Sequence, residues 1–197
     1  MPNTTSEARE QVLNVAEQLF MERGYSAVRL KDIADALNIK QASLYYHFPQ
    51  GKEELYVEVL RHSLRRHAAG IQAALAQAPA GDWLAQLEAV ASWLLSQPPV
   101  DKMSTVQHDL PEIHPETVHM LDEESFAALF VPILGIFAAA QASGQIELED
   151  PDLVAGMFLG MINNLHMVKA EWNPRSKHQM AEMLIRLLAR GLEPRPA

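Results

Sequence analysis

Apolar residues in this chain recur every three or four positions from Val12 to Leu188, and no segment shows the strict alternation of a half-buried strand. That periodicity commits the chain to helices, so the expected fold class is all-α. The sequence has 197 residues, 48% of them hydrophobic, and no cysteine, so neither disulfides nor thiolate metal sites can hold the fold together. Packing must do it, in one large core or two modest ones.

Val12, Leu13, Ala16, Leu19 and Phe20 mark a first amphipathic helix, and Gly24 ends it. Leu30, Ile33, Ala34 and Leu37 define a short second helix that stops at Asn38, a residue that tolerates the left-handed backbone of a tight turn. A third runs from about Lys40 to His47, closed by Pro49 and Gly51. These three make a small amino-terminal domain, residues 1–51. Residues 52–197 form a larger helical domain entered through a long connector helix beginning at Lys52. Further helices are expected at about Asp82 to Gln97, Asp101 to Leu110, Pro115 to Ser143, Pro151 to Trp172 and Ser176 to Arg190, each bounded by Pro or Gly. Pro132 and Gly135 should kink the third of these.

Two short helices joined by a tight turn form the geometry in which the second enters the major groove of DNA. The net charge of −9 argues against a nucleic-acid binder, but its distribution reverses the argument. Residues 1–67 carry nine Lys and Arg against nine Asp and Glu, so the whole excess of acid lies beyond them. No acidic residue stands between Asp35 and Glu53, a gap that contains Lys40, His47 and Lys52. In the third helix Leu44 and Phe48 can pack inward. That leaves Gln41, Ala42, Ser43, Tyr45, Tyr46 and His47 to face outward, where Gln reads an adenine edge, Ala or a ring touches a thymine methyl, and hydroxyl, imidazole or ammonium groups donate to phosphate.

Gly24-Tyr25, Lys31-Asp32-Ile33-Ala34, Leu44-Tyr45-Tyr46-His47-Phe48 and Lys52-Glu53-Glu54-Leu55 together resemble the amino-terminal domain of the TetR family of bacterial repressors, over roughly residues 9 to 60. The resemblance implies a homodimer, a third helix in the major groove and a carboxy-terminal helical domain that binds a small molecule and releases DNA. Carried over by position, Gln41, Ala42 and Tyr45 face bases and Lys31 reaches a base edge or the adjacent backbone. Ser43, Tyr46, His47 and Lys52 contact phosphate. Three positions depart from the family pattern: Arg29 and Lys40 stand where hydroxyl caps are usual, and Asn38 where Gly is common. Arg29 and Lys40 exchange a cap for a phosphate contact.

In the second domain, Gly156, Gly160, Asn163 and Met167 form a shallow stripe, and Met180, Met183, Leu184 and Leu187 line the last helix. Pairing these helices with their symmetry mates gives an isologous four-helix dimer interface. Trp93, Met103, Met120, Phe126, Phe130 and Phe137 can line an effector pocket, or serve as plain core, with His108 and His166 as polar groups within it. Between Gly81 and Trp172 the only basic side chains besides His are Lys102 and Lys169, which favours a lipophilic or aromatic effector over a polyanionic one. His108, Asp109, His114, His119 and His166 are spaced poorly for a metal, since no two of these His are four apart; no metal and no cofactor are expected.

The expected function is therefore a ligand-responsive repressor released from a pseudo-palindromic, double-stranded DNA operator by a small molecule. An activator of the same fold is the alternative, and an all-α ligand-binding protein or enzyme without DNA function a more distant one. No catalytic set supports an enzyme: the chain lacks Cys, a phosphate-binding Gly loop and H-E-x-x-H. Met1 to Arg9 lacks the apolar stretch of a signal peptide and no later run approaches the ~20 apolar residues of a membrane span, so a cytoplasmic protein without a membrane partner is expected.

Overall fold

A computed structural model describes residues 4–98 and 114–192. They form helices α1 (Thr4–Arg23), α2 (Leu30–Ala36), α3 (Gln41–His47), α4 (Lys52–Gln77), α5 (Trp83–Ser96) and α6 (Pro115–Ser125). A π-helical segment (Phe126–Phe130), α7 (Val131–Ala142), α8 (Pro151–Asn164), a 3-10 turn (Leu165–Met167) and α9 (Lys177–Leu192) follow. No strand occurs among the described residues, so the fold is all-α. The helix expected over Asp101 to Leu110 lies outside them.

The chain divides into two compact units, one containing residues 4–65 and 114–124, the other residues 66–98 and 125–192. In the first, the periodic residues of α1 to α4 meet as the sequence pattern requires. Leu13, Ala16, Ile33, Leu44, Phe48 and Leu55 are essentially inaccessible to water, and Leu121 of α6 joins the same core. Phe20, Tyr25 and Tyr56 pack as an aromatic triangle with ring centroids 4.7 to 6.0 Å apart.

The turns that shape this unit are chemical. Gly24 ends α1 at φ 79°, its N–H bonding the Phe20 carbonyl. Asn38 ends α2 at φ 54°, and the Ile39 and Asn38 amides reach back to the Ala34 and Asp35 carbonyls, the two bonds of a Schellman motif. Gly51, at φ 85°, makes the turn between α3 and α4. Glu53 and Glu54 then place negative charge in the first turn of α4, and Glu54 accepts the Gln50 amide at 2.8 Å.

In the second unit α5 begins at an Asp82 cap whose carboxylate accepts the Ala85 amide. Phe137 lies between Trp83 and Phe158 in the core. The expected kink at Pro132 and Gly135 takes another form: helix runs from Pro115 to Ala142, and the irregularity is the π segment just before Pro132. Proline has no amide to offer the Ala128 carbonyl and its ring crowds that oxygen, and the Val131 amide bonds Phe126, five residues back. Gly135 sits within regular helix.

One described helix, Pro115–Ala142, is long and apolar enough by length and composition alone to cross a membrane, with a mean hydropathy of 1.9 over 18 residues, a test that core helices of soluble proteins also pass. Leu129, Ile133, Ile136, Phe137 and Ala140 along it are buried within the second unit.

The helix expected over Pro151 to Trp172 ends instead at Asn164. The Asn164 amide donates to the Gly160 carbonyl at 2.9 Å, the local side-chain bond by which Asn competes with helix continuation, and Val168 is already extended. The last helix starts on a capping box. Ser176 Oγ accepts the Gln179 amide and Gln179 Oε1 accepts the Ser176 amide.

Candidate nucleic-acid interface

Helix α3 has seven residues and is too short to hold itself. Leu44, 0% exposed, and Phe48, 1%, anchor it in the first unit's core. With those two turned inward, Gln41, Ala42, Ser43, Tyr45 and Tyr46 face solvent and His47 is half-buried. Tyr46 is 77% exposed and its ring meets His47 edge-on at 5.1 Å, while Tyr45 is 46% exposed. The α3 surface is therefore polar and aromatic, carries no carboxylate and is backed by a rigid core.

Around it, Arg29, Lys31 and Lys40 are exposed. The Arg29 and Lys40 side chains cap nothing, as their chemistry requires, and the first turn of α2 is completed from the other side. The Asp32 carboxylate accepts the Arg29 backbone amide at 2.8 Å and pairs with its guanidinium at 3.2 Å. Those hydrogen bonds hold the Asp32 carboxyl below the usual carboxylate range and raise Arg29. A residue that lacks a capping hydroxyl is thus accommodated by the acid three positions on.

Lys52 is placed differently from the surface cations. It is half-buried, with its ammonium 4.0 Å from the centre of the Tyr25 ring and 3.5 Å from the Ser26 carbonyl. It fastens the loop after α1 to the start of α4, a role the sequence pattern did not reveal.

The remaining candidates fall into separate places. Phe126 and Phe130 stack at 4.7 Å, and the Phe130 ring lies at ordinary contact distance, 3.5 Å, from where a Cβ on Gly156 would be. Phe137 belongs to the core, Trp93 packs on Gly70 of α4, and His166 lies 3.5 Å from Lys177 Nζ. Met120 lies in the first unit, its sulfur 2.7 Å from Arg61. Met103 and His108 are outside the described residues. Among the described residues no three His, Asp or Glu groups are placed to hold a metal.

On the other candidate face, Asn163 and Met180 are buried within their own unit, while Met167, Met183 and Leu187 are 53 to 68% exposed. Gly156 backs onto Phe130, Gly160 has nothing within 4 Å, and Leu184 is half-buried. Leu153 and Met157, not singled out from the sequence, are also exposed, on one face of α8. Their four-residue spacing was the available signal.

A three-helix core presenting a short, acid-free helix with Gln, Ser and Tyr outward has the form of a helix-turn-helix domain, and a larger all-helical unit follows it. Residues 12–59 match the family model for bacterial regulatory proteins of the tetR family. The repressor KstR2 of Mycolicibacterium smegmatis is 40% identical over 63 residues, 32% of this chain and 30% of that protein. The negative regulator IcaR of the biofilm operon icaADBC in Staphylococcus epidermidis is 46% identical over 48 residues, 24% of this chain and 25% of IcaR. The chain thus spans under a third of these relatives' lengths. Likeness over nearly the whole chain comes from solved structures. The TetR-family regulator PfmR of Thermus thermophilus is 25% identical with a TM-score of 0.68, covering 93% of this chain and 99% of PfmR. AibR in complex with isovaleryl coenzyme A and operator DNA is 20% identical with a TM-score of 0.74, covering 91% of this chain and 96% of AibR. Residues 12–59 are thus similar to the amino-terminal part of bacterial regulators of the tetR family, and the chain as a whole shares the all-helical fold of solved members of that family.

Proposed function

We propose that the protein is a ligand-responsive repressor that binds a pseudo-palindromic operator as a homodimer in the cytoplasm and leaves it when a small lipophilic or aromatic molecule binds. Residues 1–51 are the DNA-reading part and residues 52–197 the effector-binding and dimerising part. The observation that carries the reading is the α3 surface: Gln41, Ala42, Ser43, Tyr45 and Tyr46 outward, Leu44 and Phe48 locked inward, and no acid nearby on the chain. In a dimer two such helices meet successive major grooves. Gln41, Ala42 and Tyr45 read bases; Arg29, Lys31, Lys40, Ser43, Tyr46 and His47 hold the backbone, and Lys52 shares that task while bracing the fold.

Leu153, Met157, Met167, Met183 and Leu187 give the dimer an apolar surface to cover. An effector acts by its differential affinity for a conformer whose reading heads are wrongly spaced, with α4 as the transmitting element. The repressor names of KstR2 and IcaR and the capture of AibR with both a ligand and operator DNA support this reading. Selection from random duplexes tests it. The wild-type protein should enrich a two-fold-symmetric site, and the Gln41→Ala, Tyr45→Ala double variant should enrich none while staying a folded dimer. Undiminished selectivity in the variant would sink the assignment of α3.

A further inference from the structure

Within the second unit, α5 approaches α4 so closely at one point that a side chain on Gly70 would lie 1.9 Å from the Trp93 ring. The indole takes the space of the missing Cβ, and its Nε1 is enclosed without a hydrogen-bond partner. An enclosed N–H is costly to leave unmade, and buried donors in folded proteins are nearly always satisfied by protein, water or ligand. Arg66 lies one turn before Gly70 on the same face of α4, half-buried, with Nε shielded from solvent. Its guanidinium has five N–H donors in a fixed fork, so a contact at one of them leaves others to offer. His67, 1% exposed, sits on the same turn. Polar N–H groups thus gather around a contact between two helices that are otherwise apolar toward the core. Counting basic residues only from Gly81 onward missed Arg66.

We propose that this corner is the polar end of the effector site and takes a single carboxylate on an apolar body, received by the Trp93 indole N–H and the Arg66 guanidinium. A carboxylate supplies two acceptor oxygens, one for each donor, and its charge complements the guanidinium. The proposal rests on the ligand-responsive reading above and narrows its effector from lipophilic molecules at large to lipophilic acids.

The test uses the full-length protein and three matched probe sets: hexanoate, octanoate and benzoate, each beside the corresponding alcohol and amine. The indole signals of the chain's three tryptophans are followed by 15N–1H NMR, with that of Trp93 identified by its loss in Trp93→Phe. At least one acid should move the Trp93 signal saturably while its amine does not. Trp93→Phe, which keeps a ring against Gly70, and Arg66→Met should each weaken that acid by about tenfold, the size of one buried hydrogen bond. A Trp93 signal unmoved by every acid, or acids bound equally well by Trp93→Phe, overturns the proposal. If Arg66→Met does not fold, the Trp93→Phe comparison decides alone. Operator binding by the same preparation separates the two readings. Selective DNA binding without acid binding removes only this inference, whereas acid binding without selective DNA binding removes the regulator reading.

Discussion

Arg9 of α1 and Glu58 of α4 meet at 2.6 Å, and the pair extends from both ends. The Arg9 guanidinium also lies 5.2 Å from the centre of the Phe48 ring at the end of α3. Glu58 is approached by Arg61 at 3.5 Å and Arg65 at 4.0 Å, and Arg61 in turn grips Glu124 of α6 at 3.0 Å. A line of alternating charge therefore runs through the first unit from the end of α3 to α6.

That line makes stability depend on pH with a definite sign. Partial burial pushes the Glu58 carboxyl up, but the Arg9 hydrogen bond and charge, with help from Arg61 and Arg65, outweigh it and hold the group below its ordinary 4.5. A carboxylate depressed in the folded state stabilises it at pH above the unfolded value, and that contribution is lost as pH falls through the folded one. Wild-type protein should therefore lose stability from about pH 4.5 downward more steeply than Glu58→Gln. Arg9→Leu should cost about 1 kcal/mol at neutral pH, the scale of a partly exposed pair, and weaken operator binding because α3 loses a brace. Chemical denaturation across pH measures both.

At Gly70 the expected effect is steric. An alanine gains helix propensity of about 1 kcal/mol over glycine, yet its Cβ must displace the Trp93 indole. Overpacking of this kind costs about 1–3 kcal/mol, so Gly70→Ala should destabilise on balance. Combining it with Trp93→Leu should remove most of the clash. Thermal unfolding of the two single variants and the double gives the coupling, and simple additivity would contradict the close approach.

How far such features were legible in the sequence differs by the range of the interaction that sets them. The helix period and the turn glycines are local, and α1, α2, α3 and their caps fall where Val12, Gly24, Asn38 and Gly51 place them. The end of α8 was misread because apolar spacing continues through Met167 and Val168, while a side-chain bond from Asn164 to Gly160 stops the helix. The form of the break before Pro132 could not be read from periodicity, since a π segment and a kink answer the same missing donor. Neither the seat of Lys52 over Tyr25 nor the inward turn of Asn163 and Met180 leaves a sequence signature, because each depends on residues distant along the chain.

The exposed faces of α8 and α9 yield a prediction about assembly. Leu187 is 68% exposed and Met183, one turn earlier, 53%. Leu187→Glu puts a charge where a symmetric partner would pair it with its own copy, and like charges desolvated together oppose association. Sedimentation should find wild-type dimers and a Leu187→Glu monomer of unchanged helicity, with operator affinity lost along with the second reading head. A dimer that survives both Leu187→Glu and Met157→Glu would place the interface elsewhere.

Lys40 and Lys52 should part company when operator binding is followed against salt. Lys40 is exposed beside α3, so Lys40→Ala should lower affinity evenly across sequences and reduce the slope of log K against log salt by about one. Lys52 holds the Tyr25 ring and the Ser26 carbonyl, and Lys52→Ala should also lower the melting temperature, because α4 and the loop after α1 lose their fastening. Lys52→Arg separates its two roles. A guanidinium keeps the charge and can lie over the ring, so stability should largely return. If Lys52→Ala proves as stable as Lys40→Ala, the ammonium contributes only through DNA and the contact with Tyr25 is incidental.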